Sequence, residues 1–107
     1  MTQIKYSSES VKNLYEIYLD KLNEYFNIYN YSESDSEIKA KKKVADIENF
    51  ILKLDQNSIM GKQISDTETM VSFYPYCITF SKHDDYILIR KILVDSRRAA
   101  ITNRSQL

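Results

Sequence analysis

The side chains best suited to chemistry in this 107-residue chain are cations. Arg97 and Arg98 follow a strand-like run, Arg90 and Lys91 interrupt that run, and Lys39, Lys41, Lys42 and Lys43 crowd together near the middle of the sequence. Arginine forks grip carboxylate or phosphate through two parallel hydrogen bonds, so Arg90, Arg97 and Arg98 are candidates for holding an anionic or protein target. The plainer alternative for Arg97 and Arg98 is a solvated chain end. Lys41 and Lys42 fall near the start of a helix, where the partial positive charge of the backbone makes cations unhelpful for folding. That conflict makes them contact candidates, although a lysine run is commonly a solvated face.

Acid–base and metal chemistry find little support. His83 is the lone histidine and adjoins Asp84 and Asp85, but side chains of adjacent residues diverge, and no second histidine completes a ligand set. Cys77 is the only cysteine, so no internal disulfide forms, and its place between Tyr76 and Ile78 reads as a buried thiol. From Thr69 to Ser81 there is no lysine, arginine, histidine, aspartate or glutamate. No metal or other cofactor is therefore expected.

The elements that must carry these groups can be read from apolar spacing. Gln3 to Tyr6 suits a short strand, and Ser7-Ser8-Glu9-Ser10 offers hydroxyls for capping a helix. Val11, Tyr15, Tyr18, Leu22, Tyr25 and Tyr29 recur at spacings of four and three, predicting a long amphipathic helix whose tyrosines form the seam with the next helix. Ser34 and Glu37 have the capping-box spacing, and Ala40, Val44, Ile47, Ile51 and Leu54 predict a second helix closing near Asn57 to Gly61, with Gly61 as a left-handed closing residue. The two helices should pair as an antiparallel hairpin.

Thr69 to Tyr74 is strand-like, Pro75 marks a strand end or bulge, and Tyr76–Phe80 and Tyr86–Val94 flank the polar turn Ser81-Lys82-His83-Asp84-Asp85 as a β-hairpin. Strict alternation puts Arg90 on the face of Leu88 and Ile92 and Lys91 on that of Ile89 and Leu93, so one charge should lie among apolar groups. Tyr31 and Tyr74, outside the helical seam, are candidate partner anchors. The fold class is α+β: an N-terminal strand and a long helical hairpin packed on a small, mostly antiparallel sheet, as one domain over 1–107.

Composition narrows the functional classes. Formal charge is zero, while residues 81 to 107 hold six cations against three aspartates, a local excess of +3 that leaves −3 for the remainder. An anionic partner is permitted at that end, but the dense basic stripe of a dedicated nucleic-acid binder is lacking. No apolar run approaches the ~20 residues of a membrane span, and Met1 to Tyr6 lack the apolar core of a secretion signal. A cytoplasmic location without membrane attachment is expected.

The succession of these elements, with Leu14-Tyr15-Glu16-Ile17-Tyr18 in the first helix and the block Tyr76-Cys77-Ile78-Thr79-Phe80 to Tyr86-Ile87-Leu88-Ile89-Arg90-Lys91-Ile92-Leu93-Val94-Asp95-Ser96-Arg97-Arg98, resembles the RelE/ParE superfamily of bacterial type II toxin–antitoxin toxins. The resemblance covers nearly the whole chain. RelE-like members cut messenger RNA on the ribosome with ionisable side chains on the middle strands, which are neutral here. ParE-like members resemble this chain in their helical hairpin and neutral strands, and they poison DNA gyrase. The resemblance thus implies a non-enzymatic gyrase inhibitor causing growth arrest, with Arg90, Arg97, Arg98, Lys41 and Lys42 as target contacts. It also implies a cognate antitoxin and a toxin–antitoxin hetero-oligomer. The alternatives are a ribosome-dependent endoribonuclease, or an inactive member that still binds antitoxin.

Overall fold

Ser7 begins the helical layer as the sequence anticipates. Its hydroxyl accepts from the Ser10 amide at 3.1 Å, capping a helix α1 that runs Ser8–Asn23. The computed structural model describes residues 3–54 and 61–94. Before α1 lies strand β1, Gln3–Tyr6, and after it a π-helical segment, Glu24–Ile28. The predicted first helix is therefore α-helical only to Asn23; the wider segment follows, and Asn30 then turns the chain at φ 59°. Asparagine tolerates that left-handed conformation better than most residues, which suits the elbow.

Helix α2, Glu33–Leu52, is capped by Ser32, which accepts from the Asp35 amide at 3.1 Å. Ser34, the predicted cap, is instead the second residue of the helix, two positions past the cap that Ser32 provides. The helix ends at Leu52 rather than near Gly61, and Gly61 has no positive φ. Residues 55 to 60 of the predicted closing segment lie outside the described residues. Ser36 and Ala40 are fully buried, and their small side chains let the start of α2 lie close to the preceding helix.

The strands β2 (Lys62–Gln63), β3 (Thr69–Phe73), β4 (Tyr76–Lys82) and β5 (Tyr86–Val94) join β1 in one sheet of order β1-β5-β4-β3-β2. Only the β1–β5 pair is parallel; the others are antiparallel. Tyr74 and Pro75 turn β3 into β4, as the missing proline donor requires. The two-residue β2 falls in a stretch without strand signal.

The core lies between the helices and one sheet face. Ile17, Ile47 and Ile51 meet Ile78, Phe80, Ile87, Ile89 and Ile92, and Phe50 stacks on Phe73 at 4.6 Å. The expected alternation along β5 fails at Arg90. Phe80 pairs with Ile89 whereas Thr79 pairs with Lys91, so Arg90 is an extra residue, a β-bulge that reverses the facing of everything after it. Ile87 and Ile89 point inward before it and Ile92 after it, and both Arg90 and Lys91 stay exposed. Neither charge has to enter apolar surroundings.

Where β1 ends, Ser7 and the α1 side chain Asn13 continue its hydrogen bonding to β5. The Ser7 amide donates to the Ile89 carbonyl at 2.9 Å, the Ser7 hydroxyl donates to the Arg90 carbonyl at 2.9 Å, and Asn13 Oδ1 accepts from the Ile92 amide at 3.0 Å. A buried strand edge needs such partners.

Candidate functional site

Helix α1 has more apolar surface than the core uses. Its buried positions are Ser10, Asn13 and Ile17, while Val11, Tyr15 and Leu19 are exposed, as is Phe26 in the π-helical segment that follows. The expected tyrosine seam is therefore corrected: Tyr15 is 63 % exposed and Tyr29 is 57 % exposed, and the helix turns its smaller side chains toward sheet and partner helix. Close packing under a two-helix layer favours small residues at the contact, which leaves the large ones on the outer side. There the two helices form a groove of two adjoining cavities, about 400 and 690 Å³, that share Leu19 and Leu22. Leu14, Tyr15, Tyr18 and Phe26 complete the apolar wall, and Tyr15 stacks on Tyr18 at 6.5 Å. Glu33, Glu37, Lys41, Val44 and Glu48 line the opposite wall, one residue per turn of α2.

A second surface sits at the elbow. The Tyr29 amide bonds the Glu24 carbonyl and the Tyr31 amide the Tyr25 carbonyl, both near 3.0 Å (3.1 and 3.0 Å), so the π-helical segment and its exit fold Tyr31 back. Tyr25, Tyr29 and Tyr31 consequently form a triangle with centroids 6.0 to 6.2 Å apart. The Lys39 ammonium lies 4.9 Å from the Tyr31 ring centre. Tyr25, Tyr31, Lys39, Lys42, Lys43 and Asp46 enclose about 240 Å³, and a further hollow shares Lys43 and Asp46 and extends to Lys21, Tyr74, Pro75 and Tyr76. Burial pushes the Tyr76 phenol up, against the opposing pull of Lys21. Burial would lower the Lys21 ammonium, but its 3.1 Å hydrogen bond to Glu24 and nearby negative charge hold it above the ordinary lysine value.

The third surface is the sheet face turned away from the helices. Lys5 lies 4.3 Å from the centre of the Tyr86 ring, Tyr86 stacks on His83 at 4.4 Å, and His83 Nε2 is 3.0 Å from the Ser81 hydroxyl. The histidine thus pairs with Ser81 and Tyr86 rather than with Asp84 and Asp85. Among the described residues no group of three or more histidine, cysteine or acidic side chains could hold a metal ion. Nearby on β5, Arg90 pairs with Glu68 at 3.5 Å beside Ser7, Ser8 and Lys91.

The sequence-predicted contact residues are dispersed. Lys41 lines the outer groove, Lys42 the elbow, and Arg90 the hollow at the start of α1; Arg97 and Arg98 lie outside the described residues. Tyr31 and Tyr74 are exposed, as their place outside the seam implied. The tyrosine triangle was missed because spacing assigned Tyr25 and Tyr29 to a buried stripe; the asparagine at 30 between two tyrosines was the available signal of a turn. No helix among the described residues is long and apolar enough to cross a membrane.

No family model matches the chain, and no curated protein matches it. Among solved structures, it is similar to a chain of the chromosomal ParDE TA system from P. aeruginosa, with TM-score 0.65 and 20 % identity over 88 % of this chain and 96 % of that one. The α+β architecture, two helices on a five-stranded sheet, is the fold that the two chains share.

Proposed function

We propose that this chain is the toxin of a type II toxin–antitoxin system, acting in the cytoplasm as a single ParE-like domain that inhibits DNA gyrase. The observation that carries the reading is the correspondence in fold along nearly the full length of a ParDE chain. The toxin performs no bond chemistry: it binds gyrase so that cleaved DNA is not resealed, and replication stops. Arg90, Arg97 and Arg98, with Lys41 and Lys42, supply target contacts. β3 and β4 support this preference, because no lysine, arginine, histidine or acid occurs between Thr69 and Ser81.

A cognate antitoxin restrains the toxin by laying an amphipathic helix into the groove between α1 and α2. An apolar wall at Leu19 and Leu22 receives its apolar face, and Glu33, Glu37 and Glu48 favour basic residues along its edge. The segment orders on binding, in the manner of disordered inhibitors.

One observation favours a second reading, a RelE-like ribosome-dependent endoribonuclease. The open sheet face gathers Lys5, Ser81, His83 and Tyr86, groups able to move protons or steady phosphate, although they come from β1, the β4–β5 turn and the strand ends beside it rather than mid-strand. Gyrase supercoiling and cleavage assays run beside ribosome-dependent messenger cleavage separate the two. Loss of supercoiling with accumulated cleaved DNA is expected, and messenger cleavage without a gyrase effect overturns the proposal. Arg97→Ala with Arg98→Ala should weaken growth arrest at least about tenfold at equal expression, as expected for loss of anchoring arginines; undiminished arrest makes them a solvated end.

A further inference from the structure

The tyrosine elbow is not explained by folding or by the outer groove. Its rings are held by a π-helical segment and by Asn30 at φ 59°, an arrangement of the kind that recurs at functional sites, yet Tyr29 and Tyr31 stay exposed. Lys39, Lys42 and Lys43 make no ion pair among the described residues, and Asp46 is the single acid against these three cations. The adjoining hollow carries the same surface on to Tyr74 at the β3–β4 turn. Aromatic rings therefore stand at both ends of a basic strip.

We propose that Tyr29, Tyr31 and Tyr74, with Lys39, Lys42 and Lys43, form a binding strip for single-stranded nucleic acid. Bases stack on the tyrosines and phosphates lie along the lysines, the combination by which strands are held without sequence preference. Lys39 to Lys43 covers about 6 Å of helix at 1.5 Å per residue, close to the roughly 7 Å that three successive phosphates of a stacked strand span. A protein partner fits less well, because lysine is depleted from protein–protein interfaces. Lysine ammoniums on a helix face lose little on meeting phosphate, and the cation over Tyr31 already holds Lys39 beside a ring. The outer groove, walled by three glutamates and one lysine, offers the opposite charge and a separate site.

The inference shares only Lys42 with the proposed gyrase contacts and is tested on the purified protein in the absence of gyrase. Fluorescence anisotropy with labelled oligothymidylate and oligouridylate, over a series of salt concentrations, should show binding that weakens as salt rises. The triple variant Lys39→Ala, Lys42→Ala, Lys43→Ala should bind at least about tenfold more weakly, with the salt slope reduced by about 2, the value for three single-strand phosphate contacts. Tyr29→Ala should weaken binding about fivefold or more while Tyr29→Phe retains it, as loss of one stacked base predicts. Lys12→Ala, on exposed α1, should change nothing. Circular dichroism checks that each variant keeps its helix content, which alanine favours. Absence of binding to both oligonucleotides at low salt, or equal binding by the triple variant, overturns the proposal. So does a polyglutamate peptide that binds as tightly as the oligonucleotides, which would assign the strip to an acidic protein.

Discussion

Helix α1 and strand β5 invert each other's use of hydrophobicity. β5 carries two adjacent charges, yet buries Ile87, Ile89 and Ile92 almost completely, because the bulge at Arg90 turns both charges outward. α1 is rich in large apolar residues, yet buries Ser10 and Asn13 and leaves Val11, Tyr15 and Leu19 to solvent. Apolar character in β5 holds the fold; in α1 much of it is left over for a second body. A contiguous exposed apolar patch on a small protein is a mark of an interaction surface.

The contrast is broken most sharply by matched truncations. Ile89→Ala removes a fully buried side chain beside Phe80 and should lower the unfolding free energy by about 2–5 kcal/mol, read from urea denaturation. Leu19→Ala should stay within about 0.5 kcal/mol of the parent protein, the usual range for surface positions, while weakening capture of antitoxin. A large loss of stability for Leu19→Ala would show that α1's outer face belongs to the core after all. Next in size is Asn13→Ala, which strips the acceptor from the buried Ile92 amide and should cost about 1–3 kcal/mol in the same assay.

The smallest expected effect concerns pH. Burial, with the Glu48 charge adding to it, pushes the Tyr6 phenol from its ordinary value of 10.0 up to about 12. The folded protein therefore holds the Tyr6 proton more tightly than the unfolded chain does. That stabilising contribution is complete below pH 10 and is lost as pH rises through about 12. Tyr6→Phe should flatten part of the alkaline decline in melting temperature, and an unchanged decline would place its origin elsewhere.

How much of this contrast the sequence discloses depends on the range of the forces involved. The β4–β5 hairpin, the Ser7 cap, the turn at Pro75 and the helical hairpin follow from local spacing and local hydrogen bonding. The orientation of α1 does not, since its apolar residues surround much of the helix and which of them face inward depends on Asn13 meeting the Ile92 amide, 79 residues away. The bulge at Arg90 is equally hidden, because alternation is a local rule and a bulge is settled by a partner strand. The dispersal of Lys41, Lys42 and Arg90 follows from the same distant pairings. The elbow tyrosines were masked by a helical period that a π-helical segment interrupts.

The parallel pairing of β1 with β5 has a consequence for synthesis. Gln3 to Tyr6 leave the ribosome about 80 residues before their partners Tyr86 to Ile89. Until then β1 has no neighbour, Ser7 and Asn13 have no strand to bond, and the helical hairpin lacks the sheet it rests on. Nascent chains stopped before β5 cannot close the sheet. Maturation is thereby tied to the synthesis of β5, and a product terminated before that strand carries the helices without a finished fold to present them.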